Sequence, residues 1–105
     1  MEKVYFIPDD RLGIQIPMLE REWEEFSESE RSFILEQWEN IRGSIPTRIQ
    51  AFERCIVQKQ NELYDESDFE RSCDLNWEIA ALASCINDLQ LWYRLNQEVD
   101  DRPHT

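Results

Sequence analysis

Core-type residues recur between positions 45 and 93 in two runs of the same 4-3-4-3-4 spacing: Ile45, Ile49, Phe52, Ile56, Lys59, Leu63, then Leu75, Ile79, Leu82, Ile86, Leu89, Tyr93. Steps alternating between 3 and 4 average about 3.5 residues, which keeps a narrow apolar seam on one side of a helix and lets it wind along a neighbour. Lys59 is the one polar member of either run. The link from Tyr64 to Asp68 is too short for anything but an antiparallel return. The pattern therefore predicts a long helical hairpin over 45–65 and 68–98, with Ile79 and Ile86 buried in its seam. The second helix is expected to start on a capping box of Ser67 and Glu70, and at 1.5 Å per residue it runs for about 45 Å.

Upstream the pattern is shorter in period and in length. Pro17 suits the first turn of a helix, and Leu19, Trp23 and Phe26 follow at i, i+4 and i+7, which predicts a short helix over about 17–26. Ser27 and Glu30 form a second capping-box pattern. It opens a helix over about 28–42 that carries Ile34, Leu35, Trp38 and Ile41 on one face and ends at Gly43. One continuous helix from Pro17 to Arg42 is the alternative, and Ser27 and Ser29 around Glu28 argue for the break. Residues 3–16 place two β-favouring runs around Pro8, Asp9, Asp10 and Gly13, a short β-hairpin or an extended arm. An isolated two-stranded hairpin is marginal in water, so it needs support from the helices or from a second subunit. The fold class is all-α: the long hairpin with the two shorter N-terminal helices packed on it, a single helical domain over 1–105, and a disordered tail at 100–105.

The last helix carries more apolar surface than one seam uses. Trp77, Ala81, Cys85, Leu91, Trp92, Leu95 and Val99 occupy another side of it, and a surface helix needs only one apolar face. That second face predicts an interface made by Trp77, Leu91, Trp92 and Leu95 beside Arg94, and with it a homodimer. Asn96 continues the main seam after Tyr93, where a polar residue near a helix end reads as solvent-exposed.

Charge narrows the partners. Against 11 Lys and Arg stand 23 Asp and Glu, a formal charge of -12, so the surface repels phosphate and gains nothing from counterion release. Direct nucleic-acid binding and attraction to anionic membranes are both disfavoured. No apolar run approaches the roughly 20 residues that span a bilayer, and Met1 to Ile7 lack the features of a signal peptide. Cys55, Cys73 and Cys85 form no Cys-x-x-Cys pair and read as reduced, largely buried helix residues, which fits a cytoplasmic protein.

No chemistry-bearing motif emerges. Helical di-metal sites combine carboxylates with Glu-x-x-His, and the only histidine, His104, lies past Pro103 at the chain end. The acidic turn around Asp65, Glu66 and Asp68 lacks the 12-residue spacing and central glycine of a calcium loop, and reads as a solvated tip. Nucleophilic catalysis needs a base in reach, and Gly13 and Gly43 are too isolated for a phosphate loop. The expectation is a non-enzyme with no catalytic, cofactor-binding or metal residues and no cofactor: a small cytoplasmic helical interaction protein, an adaptor, regulator or assembly factor, acting through a helical surface and self-associating. The alternative is an acidic inhibitor that mimics nucleic acid and occupies the basic cleft of an enzyme or DNA-binding protein. The identity of the partner and the process it serves are not legible in these residues.

Overall fold

The computed structural model describes residues 4–100, with side chains through Leu95. The predicted tail, with His104, lies outside the described residues except for Asp100, which closes the last helix. The side chains of Asn96 and Val99 lie outside them as well. The chain is mostly helical: an N-terminal β-hairpin, then helices packed antiparallel.

The hairpin pairs β1 (Phe6–Asp9) with β2 (Ile14–Pro17), Asp9 opposite Ile14 and Phe6 opposite Pro17. Its turn is made locally. The Asp9 carboxylate accepts from the Leu12 backbone N–H at 3.0 Å, and the Asp9 carbonyl accepts from Gly13 N–H at 2.8 Å. Gly13 takes a φ of 75°, the left-handed region that a residue without Cβ enters at no steric cost. The turn points Leu12 into the protein, and Arg48 reaches back to donate to the Leu12 carbonyl at 3.3 Å. That docking supplies the support a lone hairpin lacks.

Residues 17–26 form no α-helix, which corrects the first of the two expected short helices. Pro17 ends β2, and Met18 N–H donates to the Tyr5 carbonyl at 2.8 Å, prolonging the hairpin pairing. Only a single 3-10 turn, Trp23–Glu25, follows, capped by Glu22 and Glu25. Three apolar residues across two turns are too few to outweigh the pairing already available to the backbone, and a helix this short is marginal by itself.

Helix α1 (Glu28–Gly43) starts on the predicted capping box: Glu30 N–H donates to Ser27 Oγ at 3.1 Å, and Ser27 N–H to the Glu30 carboxylate at 3.2 Å. It is not a separate short helix. Gly43 stays right-handed, Ser44 keeps helical dihedrals (φ -86, ψ -12), and the path runs on into α2 (Ile45–Asp65). Pro46, with no N–H to give Arg42, explains the single interrupted turn at Ser44. The return helix α3 (Phe69–Asp100) follows Glu66, Ser67 and Asp68 and packs antiparallel on α2. Its cap is Asp68, whose carboxylate accepts from Arg71 N–H at 3.2 Å, rather than the expected Ser67.

The seam residues face one another as their spacing requires. Ile45, Leu75 and Leu89 are fully buried, whereas Ile49, Ile56, Leu82, Ile79 and Ile86 are half-buried. Ile79 and Ile86 thus fall short of the burial expected of them. The reason is geometric. The β-hairpin closes only one side of the helix pair, and only near its base, where Leu12 and Ile14 join Ile45, Cys85 and Leu89 in one cluster. Towards the tip two helices stand alone. The Cα radius of gyration is 18.3 Å and the extents are 59 × 35 × 19 Å, against about 13 Å for the radius of a compact domain of this length.

Candidate functional site

With the β-hairpin on one side of α2 and α3, the expected interface separates into three places. Leu91, Trp92 and Leu95 share a shallow depression with Asp88 on the outer edge of α3. Trp77 lies further along that edge with Cys73, Asn76 and Ala80, 77% exposed. Arg94 lies instead on the side of α3 away from the β-hairpin, where it donates to its own helix at the Gln90 carbonyl, 3.5 Å away.

Between the two apolar spots on the edge stands a polar clamp. Arg11 in the hairpin turn reaches Asp88 at 2.7 Å and Ser84 Oγ at 2.8 Å. The hydrogen bond to Asp88 raises the Arg11 pKa, so the clamp keeps its charge. Trp77 and Leu91, fourteen residues apart, are therefore not one continuous patch. Trp92 is also less available than expected, because it meets Trp38 edge-on at 5.9 Å. Cys85 is covered by the same docking, and its thiol sits 3.8 Å from the Arg11 carbonyl. Cys55 and Cys73 are exposed, contrary to the expectation that all three cysteines pack inside.

The helix arginines are largely occupied within the fold. Arg42 lies 4.6 Å over the Tyr93 ring and 3.6 Å from Glu39, Arg48 lies 5.2 Å over Phe52, and Arg71 meets Glu62 and Glu78 at 3.3 and 3.6 Å. Lys59, the one polar seam residue, is matched by Glu78 at 3.2 Å from the facing helix. It ties the two seams where a methyl group would otherwise sit.

On the side of α2 and α3 away from the β-hairpin, a groove of about 640 Å³ opens between the helices, with Ile49 and Tyr93 as its apolar floor and Gln50, Glu53, Gln90 and Arg94 at its rims. Val57, further along α2, is exposed beside Gln50, Glu53 and Arg54. At the tip, Tyr64 is 90% and Phe69 80% exposed. Neither apolar periodicity nor the net charge of the whole chain points to this broad side. Its signal is a scarcity of charge, visible once helical phase is assigned.

Among the described residues no group of three or more His, Cys, Asp and Glu is placed to hold a metal, and no helix is long and apolar enough to cross a membrane. At the acidic tip, Asp68 already caps α3 and Glu66 accepts from the Asp68 N–H at 3.0 Å, which leaves scattered carboxylates in water. Calorimetry with millimolar calcium is expected to show no saturable heat. A site tighter than about 100 µM, lost on changing Asp65 and Asp68 to Asn, would contradict that reading. Comparison of the chain with known protein families, curated proteins and solved structures gives no match.

Proposed function

We propose that this protein is a small helical interaction protein, an adaptor, regulator or assembly factor, that works through the surface of its α2–α3 hairpin and self-associates. The observation that carries the reading is the half-burial of the seam. Ile49, Ile56, Ile79 and Ile86 sit where a packed core belongs, yet each keeps part of its side chain in water. These part-exposed branched side chains, with Tyr93 between them and the exposed Val57 beside them, form an apolar strip along two helices that a partner can cover. Covering them by a symmetric two-fold partner is the commonest closed solution. The charge of -12 opposes the association and salt screens that opposition.

Sedimentation equilibrium over a concentration series tests this. The expected result is a dimer of the 12.7 kDa chain at micromolar concentration that persists or strengthens as salt rises. The acidic-mimic alternative draws on the exposed tip carboxylates Glu62, Asp65, Asp68, Glu70 and Asp74. It requires the opposite salt response, a complex with a basic partner that weakens as salt rises. A monomer at every concentration and salt would contradict self-association.

A further inference from the structure

We infer that the side of the α2–α3 hairpin opposite the β-hairpin is the face on which a second copy of this chain docks, hairpin against hairpin. The inference rests on the self-association reading and assigns it a surface. Helical phase, fixed by the buried seam, sorts each helix into a side turned towards the β-hairpin and a side turned away from it. The side towards the β-hairpin carries Arg48, Lys59, Glu62, Arg71, Asp74 and Glu78. On the other, among the described residues of α2 and α3, the charged residues are Glu53, Arg54 and Arg94. Its remaining exposed positions hold uncharged amides such as Gln60, Asn87 and Gln90, the small Ala83, with Ala80 at the border with the outer edge of α3, and Val57.

That distribution is specific to this side. With 23 acidic residues in 105, a random face of this size would carry several, and two like faces would repel. Depletion of charge at the centre is the compositional mark of an interface. A second copy is the occupant that fits, because the face holds Glu53 against Arg54 and Arg94, so acid can meet base across a two-fold and little like charge is repeated against itself. Small residues on it let two helix pairs approach closely, and the half-buried Ile49, Ile56, Ile79 and Ile86 form the layer beneath. The area suffices. The 21 residues of α2 span about 30 Å, and two helices abreast are about 20 Å wide. Roughly 600 Å² of each copy is thus covered in projection, and the accessible area exceeds the projection, so the contact approaches the ~800 Å² per partner of a stable interface. The outer edge of α3 offers less, since Arg11 divides it.

Charge insertion on each surface, read by sedimentation equilibrium of the full chain, tests the assignment. Ala83→Glu and Gln90→Glu place a carboxylate at exposed helical positions of the docking side, and Leu91→Glu places one on the outer edge of α3. Circular dichroism checks that each variant keeps its helix, and Ala83→Gln controls for size without charge. The expected result is a dimer dissociation constant raised at least about tenfold by Ala83→Glu and by Gln90→Glu, and changed less than about threefold by Leu91→Glu and Ala83→Gln. A dimer that resists both docking-side carboxylates but dissolves with Leu91→Glu would overturn the assignment and leave self-association standing. A wild-type monomer at all concentrations would overturn both.

Discussion

Trp38→Ala is expected to lower the unfolding free energy by about 3–5 kcal/mol, the cost of deleting a large buried aromatic side chain. Trp38 is buried where three elements meet. Its ring stacks on Phe6 of β1 at 6.4 Å and 7°, and it takes the edge of Trp92 of α3 at 5.9 Å. Ile41 of α1 also packs on the cluster shared by the β-hairpin and α3, but Trp38 makes the aromatic joint, and a thin fold cannot collapse around the hole. Urea melts followed by circular dichroism read the loss as a lower midpoint. The near-ultraviolet signal of the stacked rings should vanish with it. A change below about 1 kcal/mol would mean that α1 is held by something other than this joint.

Leu89→Ala is expected to cost about 2–5 kcal/mol, while Asp65→Ala at the tip stays within about half a kcal/mol. Leu89 is 0% exposed and closes the one cluster that draws on the β-hairpin and both long helices, through Leu12, Ile14, Ile45 and Cys85. Ile86, one turn earlier on the open side, is half-buried and is expected to cost less than Leu89 in dilute solution. Its cost rises with protein concentration if a second copy covers it, since a partner that binds only the folded state adds to stability by mass action. Denaturant melts of the three variants at two protein concentrations separate these effects. Equal costs at Leu89, Ile86 and Asp65 would mean that the base of the hairpin is not where stability resides.

The helical hairpin was legible because its cause is periodic: the 4-3-4-3-4 runs from Ile45 and from Leu75 leave one way to pack two helices across a short link. The capping box at Ser27 was legible for a similar reason, a local bond between residues three apart. What escaped was long-range competition. Leu19, Trp23 and Phe26 have helical spacing, but Met18 pairs with Tyr5 across the hairpin, and no local pattern announces that bond. Leu12, isolated between Arg11 and Gly13, carried no periodic signal at all and yet lies in the core, because the Asp9 carboxylate folds the turn that aims it inward. The second apolar set of α3 was read as one face. The structure divides it, since Cys85 and Trp92 are covered from the hairpin side, Arg11 bridges the middle, and Trp77, Leu91 and Leu95 remain outside. Apolar residues marked what is buried within the chain. A scarcity of acidic residues marks the surface proposed for a second copy.

Isotope-filtered NMR on a mixture of isotope-labelled and unlabelled chains addresses that surface most directly, because it records only contacts between copies. Intermolecular contacts are expected at the methyl groups of Ile49, Ile56, Ile79 and Ile86, with Ala83 among them. Intermolecular contacts confined to Trp77, Leu91 and Leu95, or none at concentrations where the wild-type chain is expected to be a dimer, would contradict it.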